Sequence, residues 1–326
     1  MKPKDIPTGV IGLGLMGTSI VACLLAAGHP VIAITRNPSK RQNTKRQVLA
    51  FLKELAKEGL LKSDPSQLIR RFIISGDYSA LSETEIVIES IIESIGAKHE
   101  VLRKIEQAVS PRTLIGSNTS AIPVSELQKG AMHPERILGL HWAEPAHVTR
   151  FMEIICGKST QPAYASRALA FARGWGKEPS LLRRDIRGFI TNRIMYAMLR
   201  EAFYLVESGY ATISDVDRSL RNDLGYWITF AGPFRFMDLT GIPAYAAVMQ
   251  DLYPELCNNS KVPDLMKRTV KSGARGVSNA RGFYSYAPAE ARRWEKRFLK
   301  FSYEIRALAQ KYPEDSEPTF RMKRST

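Results

Sequence analysis

Apolar and polar positions follow two rhythms along the first half of the chain. A short apolar run, Val10-Ile11, breaks at glycines and gives way to TSIVACLLAAG, whose small and apolar residues suit a buried helix. A second run of strand length, HPVIAIT, occupies residues 29–35. The rhythm then lengthens: Val48, Phe51, Leu52 and Leu55 recur at helical spacing in KRQVLAFLKELAKEGLL, Gly59 supplies a stop, and PSQLIRRF continues the helical stretch. Strand-length runs return at RFIISGD, IVIESI, TLIGSN, ILGLHW and FMEIICG, with a helix at AKHEVLRKIEQAV. This alternation predicts an α/β fold with a doubly wound, mostly parallel sheet, interrupted by a helical excursion over about residues 38–70. After GKEPSLLRRD the composition shifts. Ile190, Ile194, Met198 and Leu205 fall at helix-like intervals, and TISDVDRSLRNDLG opens on a capping residue and ends at a glycine. The boundary is placed near 184, between a first domain, 1–184, and a smaller all-helical C-terminal domain, 185–300. Residues 301–326 read as a basic polar tail.

The break after Val10-Ile11 carries chemistry. GVIGLGLMG sets Gly12, Gly14 and Gly17 in the pattern G-x-G-x-x-G, with Leu15 and Met16 inside the turn. Gly12 permits the tight strand-to-helix turn. Gly14 lets the backbone approach a pyrophosphate, which the helix N-terminus stabilises, and Gly17 lets helix and strand pack closely. With a strand before, a helix after and a second strand at 29–35, the motif becomes a Rossmann βαβ unit for a dinucleotide. NAD-selective units usually place an acid at the end of the second strand to hold the ribose. Here Thr35, Arg36 and Asn37 stand there, and Lys40 and Arg41 follow. A hydroxyl and a guanidinium accept a 2′-phosphate that a carboxylate would repel, so NADP is expected in preference to NAD.

Composition narrows the class. The chain has 326 residues, 44% of them apolar, enough for one large or two medium domains with cores. No apolar run is long enough to span a membrane, and no leader pattern precedes the first strand. Cys23, Cys156 and Cys257 are odd in number and sit in apolar contexts, so they read as buried free thiols of a reducing, cytoplasmic setting. No Cys/His cluster has metal-ligand spacing, and no metal is expected. The formal charge of +15 attracts anions of several kinds. No nucleic-acid module accompanies it and the basic residues are dispersed, so nucleic acid is not expected as a partner. Arg36, Lys40, Arg41, Lys45 and Arg46 form a local block without an acid, either a solvated helix face or a phosphate-binding edge.

Ligands of doubly wound sheets bind beyond the carboxyl ends of strands, which draws attention to Glu93, Asn118, Thr119, Ser120 and His141. The stretch 139–154, GLHWAEPAHVTRFMEI, offers two histidines, His141 and His147, and two glutamates, Glu144 and Glu153. Glu153 interrupts the apolar run FMEIIC, so it is either a buried carboxylate in need of a partner or an edge-strand residue facing water. An imidazole on the preceding strand end would supply that partner, fixing a tautomer and stabilising the protonated ring.

The whole pattern resembles the L-3-hydroxyacyl-CoA dehydrogenase family. GLGLMG, IVIESIIES, SNTSAI, HPERILGLHWAEP, FMEII, GFITNRI, GPFRFMDLTG and GARGVSNARGFYSY occur in that family's order, from about residue 8 to 287. The resemblance implies an oxidoreductase that interconverts an L-3-hydroxyacyl-CoA and its 3-keto form with a nicotinamide cofactor. It also implies that the helical domain dimerises and closes the substrate cleft. His141 becomes the expected base and Glu153, twelve residues on, its orienting carboxylate. The resemblance places Ser120 and Asn192 near the substrate oxygen. From the residues alone, Ser120 is also good turn chemistry and Asn192 also suits a helix cap or an interdomain hydrogen bond. Glu93 and Lys98 match positions beside the cofactor.

One loop departs. Where the family reads H-F-F-N-P, this chain has His141-Trp142-Ala143-Glu144-Pro145. A carboxylate at the reacting end repels an acidic substrate or accepts a hydrogen bond from a hydroxylated one. Two further readings therefore stand beside the thioester: a free 3-hydroxy acid of carnitine or sugar-acid type, and a nucleotide-binding structural or regulatory protein with a decayed site.

Overall fold

The computed structural model describes residues 5–37 and 41–313; Lys40 and tail residues 314–326 lie outside them. The chain divides into two compact units, Met1–Ile194 and Met195–Thr326.

The first unit is built on eight strands: β1 (Thr8–Ile11), β2 (Val31–Ile34), β3 (Phe72–Ser75), β4 (Ile86–Glu89), β5 (Leu114–Ser117), β6 (Ile137–Trp142), β7 (Phe151–Cys156) and β8 (Glu178–Leu182). Their order in the sheet is β3-β2-β1-β4-β5-β6-β7-β8. All neighbours run parallel except β6 and β7, which pair as an antiparallel hairpin. The order reverses between β1 and β4, and such a switch point opens a crevice at the strand ends. Both sheet faces are covered, so strands are continuous apolar runs. Val10 and Ile88 join one core layer while Ile11 and Val87 join the other.

Helix α1 (Leu15–Ala26) is buried from Gly17 through Leu25, which accounts for its lack of a polar face. The expected excursion forms α2 (Arg41–Lys57) and the short α3 (Pro65–Leu68). Helix α2 buries Thr44, Val48, Leu52 and Leu55, one stripe at helical spacing. Asp64 caps α3 by accepting from Ser66 N at 2.8 Å. Helices α4 (Ile95–Ala108), α5 (Val124–Leu127) and α6 (Pro162–Gly174) complete the layers.

Two elements differ from the sequence reading. Strand β8 lies in GKEPSLLRRD, a stretch absent from the strand-length runs read above, and its Pro179 removes a ladder donor. Its place beyond β7 at the sheet edge tolerates that loss. At the other end, residues 301–309 are not tail. They belong to α13 (Pro288–Ala309), with Tyr303 buried.

The second unit contains helix α7 (Thr191–Glu207), which begins in the last residues of the first, and then α8 (Ile213–Asn222), α9 (Leu224–Ile228), α10 (Pro233–Thr240), α11 (Ile242–Leu252), α12 (Asp264–Lys271) and α13. Thr212 caps α8, accepting from Asp215 N. Helix α8 stops at Asn222 and Gly225 falls inside α9, so the expected glycine stop is passed over. Among the described residues of this unit only Ala231, Ala291 and Tyr303 are buried. Cys23 and Cys156 are buried free thiols, whereas Cys257, expected to be buried, is half-exposed.

Candidate functional site

The glycine turn sits at the switch point. Gly12 has φ +94°, and a Cβ there would stand 2.5 Å from the Ser90 carbonyl oxygen just after β4. A Cβ on Gly17 would reach within 1.9 Å of the Gly12 oxygen. Both positions are closed to any side chain by backbone. Gly14 differs: nothing lies within 4 Å of its Cβ position. Gly14 also caps α1 without a side-chain acceptor, and the first turn holds no acid. The space beside Gly14 is therefore open at the positive end of the helix that Leu15 and Met16 begin, an arrangement suited to a diphosphate. At the end of β2, Thr35 Oγ1 accepts from Asn37 N at 3.2 Å, and Arg36 and Asn37 are exposed.

Beyond β4 and β5 lies a buried charge network. Lys98 is fully enclosed, with Nζ 2.8 and 2.9 Å from the two oxygens of Glu89 and 3.5 Å from Glu93 Oε2. Glu89 also accepts from Ser117 Oγ at 2.5 Å and Ile91 N at 2.7 Å. Glu93 Oε1 collects the Thr119 hydroxyl and the amides of Ser120 and Ala121. Burial pushes the Glu93 carboxyl up, but the Thr119 bond, the Lys98 charge and the two amides together hold it below the usual carboxylate range. Lys98 is thus a support behind Glu93 rather than an open side chain. Asn118 spans three strand ends: its amide donates to Ser90 Oγ at 3.1 Å and accepts from Trp142 N at 3.2 Å.

The third group lies on the β6–β7 hairpin. The register sets His141 directly opposite Glu153. Opposite residues of an antiparallel pair share one face, about 4.5–5.5 Å apart at Cβ. The twelve-residue separation is simply the hairpin's two arms and its loop. His141 Nδ1 lies 2.8 Å from Glu153 Oε2. The other oxygen, Oε1, accepts from Ile190 N and Thr191 N at 3.1 and 2.9 Å, at the start of α7. Burial raises the Glu153 pKa, but the His141 hydrogen bond, the two amides and the imidazole's charge outweigh it, and the net direction is down. Phe151 and Phe189 flank the imidazole, each with ring centroid 5.5 Å away. Asn192, in the first turn of α7, donates from Nδ2 to the Ser120 carbonyl at 2.9 Å, which joins Ser120 to the same corner. Ser120 itself is exposed.

His147 and Glu144 take other places. His147 is buried 2.7 Å from Ser19 Oγ through Nδ1, and its backbone amide donates to the same oxygen. Its ring stacks on Phe51 of α2 at 4.3 Å. It ties the loop to α1 and the excursion. Buried Lys177 donates to the Ala146 and Thr149 carbonyls and so braces the same loop. Glu144 is exposed.

Three participants escaped the sequence reading. Glu89 and Ser117 end β4 and β5, where a polar residue closing an apolar run was the available signal. Phe189 has φ +54°, and nothing in its residue type announces that. A bulky side chain in this region costs about 1–3 kcal/mol of backbone strain.

Residues 7–186 match the family model for the 3-hydroxyacyl-CoA dehydrogenase NAD binding domain, and residues 188–286 match that family's C-terminal domain. The chain belongs to the 3-hydroxyacyl-CoA dehydrogenase family. Membership makes it an NAD-dependent oxidoreductase with a Rossmann-like first domain and a helical second one. Relatives of different substrate classes are similar to it. The 5-formyl-3-hydroxy-2-methylpyridine 4-carboxylate 5-dehydrogenase of Mesorhizobium japonicum is 31% identical over 284 residues, covering 87% of this chain and 91% of the relative. The 3-hydroxybutyryl-CoA dehydrogenase of Mycobacterium tuberculosis is 27% identical over 281 residues, covering 85% and 97%. Among solved structures, a 5-formyl-3-hydroxy-2-methylpyridine 4-carboxylic acid 5-dehydrogenase, described as an NAD+-dependent dismutase, superposes with a TM-score of 0.87 at 27% identity, over 94% of this chain and 99% of its own. The (S)-3-hydroxybutyryl-CoA dehydrogenase of Ralstonia eutropha superposes with a TM-score of 0.72 at 28% identity, over 86% and 99%.

Proposed function

We propose that this chain removes hydride from a hydroxyl-bearing carbon of a small free carboxylic acid, with His141 as the proton acceptor and Glu153 as its partner. The chemistry rests on the His141–Glu153 hydrogen bond. Nδ1 is committed to the carboxylate, so Nε2 is the atom that takes the hydroxyl proton in oxidation and returns it in reduction. Glu153, kept ionised by the amides of Ile190 and Thr191, stabilises the imidazolium as it forms. Ser120 donates to the substrate oxygen and Asn192 holds Ser120 in place through its carbonyl. Gly12, Gly14, Gly17, Leu15 and Met16 seat the cofactor diphosphate, with Glu93, Asn118 and buried Lys98 shaping the wall beside it. When bound, the nicotinamide supplies the hydride acceptor or donor.

The fuller structural match to the pyridine-carboxylate dehydrogenase than to the thioester dehydrogenase supports the free-acid class. A CoA thioester remains the second reading, favoured by Arg41, Lys45 and Arg46 on α2, cations suited to a phosphorylated handle. A substrate panel separates the two: acetoacetyl-CoA, longer 3-ketoacyl-CoAs, carnitine, sugar acids and hydroxymethyl- and formyl-pyridine carboxylates, each followed by nicotinamide absorbance. Turnover of a free acid with none of a CoA thioester is expected; efficient acetoacetyl-CoA reduction overturns this choice of substrate and leaves the dyad standing.

Three further assignments accompany this reading. Exposed Arg36 after Thr35 favours NADP over NAD. The second unit assembles as a homodimer. Its helices leave Tyr226 80% and Phe234 79% exposed, with Phe298 and Phe301 also open, and a second copy supplies the missing cover. The buried thiols Cys23 and Cys156 suit the cytoplasm.

A further inference from the structure

Among the described residues of the first unit, Phe189 is the one bulky residue held at positive φ, +54°, directly after Gly188 at +82°. Its ring is 1% exposed and packs in a small cluster with Val124, Ile155 and Leu182. The next two amides, Ile190 N and Thr191 N, converge on a single oxygen of Glu153. A backbone turned into the left-handed region presents successive N–H groups to one anion, the geometry of a backbone nest. We infer that Phe189 is a positioning residue: its buried ring locks the left-handed turn that aims the Ile190 and Thr191 amides at Glu153, and through Glu153 it orients His141. This rests on the reading of His141 and Glu153 as the reacting pair.

The strained position explains itself on this account. A glycine would adopt the turn freely but would also leave it freely, because nothing would anchor it. The phenylalanine ring, buried between the sheet and the imidazole, keeps the turn in one conformation. Ordinary packing would ask only for an apolar side chain, with no demand on the backbone.

Two substitutions separate these accounts. Phe189→Ile keeps apolar bulk, but a β-branched side chain resists positive φ and pulls the amides away. Phe189→Gly removes the ring yet permits the turn. Phe189→Ile is expected to lower kcat about 10–100-fold, the scale of lost hydrogen bonds to a charged group, with cofactor KM within about twofold. Phe189→Gly is expected to lower kcat by less, about 3–10-fold, through looser positioning. A packing role predicts the opposite order, since glycine removes far more contact than isoleucine. The decisive readout is a double-mutant cycle with Glu153→Gln, using thermal midpoint and NADH fluorescence to verify folded, cofactor-binding protein. If Phe189 acts through Glu153, Phe189→Ile costs little further in the Glu153→Gln background. Equal fold-losses in both backgrounds, or glycine worse than isoleucine, overturn the inference. Should Phe189→Ile not fold, Phe189→Gly in the same cycle carries the test: a full additive loss rejects it. A Glu153→Gln enzyme with undiminished kcat instead rejects the dyad itself, and the two failures are distinguishable.

Discussion

The first unit encloses its apolar residues and the second leaves them open. In the first, Val10, Ile20, Leu24, Val31, Ile88 and Leu140 are completely buried in the sheet layers. In the second, amphipathic helices present Tyr226, Phe234, Leu239, Ile242 and Phe298 to solvent within one chain. Each such side chain gains about 1.5–3 kcal/mol when fully covered. The proposed homodimer would cover these side chains, whereas the sheet completes its layers within one chain. The contrast also divides labour: the proposed proton-transfer pair and the glycine turn both belong to the first unit.

That division can be broken or sharpened by experiment. His141→Ala should lower kcat about 10²–10⁴-fold while leaving cofactor affinity and oligomeric state unchanged, by steady-state kinetics and sedimentation. Activity retained within twofold would remove the chemistry from the first unit. Glu153→Gln should lower kcat about 10–100-fold by losing the charge that stabilises imidazolium. It should also change the acid side of stability. The folded Glu153 pKa is depressed, so its contribution is complete above the ordinary carboxylate value and is lost as pH falls through the lower folded value. The thermal midpoint of the unaltered protein should therefore fall more steeply than that of Glu153→Gln as pH drops below about 4.3. Parallel midpoint curves would mean that Glu153 is not held ionised.

Phe234→Asp tests the other side of the comparison. It should weaken the proposed dimer about 10–100-fold by sedimentation equilibrium, as a central apolar anchor does. Ile73→Asp, at an exposed apolar position of the first unit, should leave the dimer intact. Equal effects would erase the distinction between the units. The smallest expected change is at the cofactor: Arg36→Ala should lower kcat/KM for NADPH about tenfold and for NADH hardly at all. An equal loss with both cofactors would show that Arg36 does not read the 2′-phosphate.

Much of the fold was legible because its signals are local. The positive-φ glycine at position 12, the continuous apolar strands and the helical stripe of α2 each follow from nearest-neighbour sterics and burial. Strand β8 was not, because Pro179 is forbidden in a central strand and allowed only at an edge, and edge position is a property of the assembled sheet. The last turns of α13, residues 301–309, are mostly apolar, with Glu304 and Arg306 their only charges, and were missed because they run straight into the charged segment that follows. In the candidate site, His141 and Glu153 came from a motif, Glu89 showed only as a polar residue closing an apolar run, and Phe189 gave no sign.

The sequence by itself determined the strand–glycine–helix cradle, the order of the βα units and membership of a dehydrogenase family. These depend on residue type and short spacing. Only the tertiary structure decided that Lys98 is enclosed, that His147 is a brace and that a strained phenylalanine stands behind the paired glutamate. Those facts depend on which distant backbone groups converge at one point. Burial makes each charge there need a partner, and Glu89 for Lys98, His141 for Glu153 and Thr191 N for Glu153 lie 9, 12 and 38 residues away along the chain.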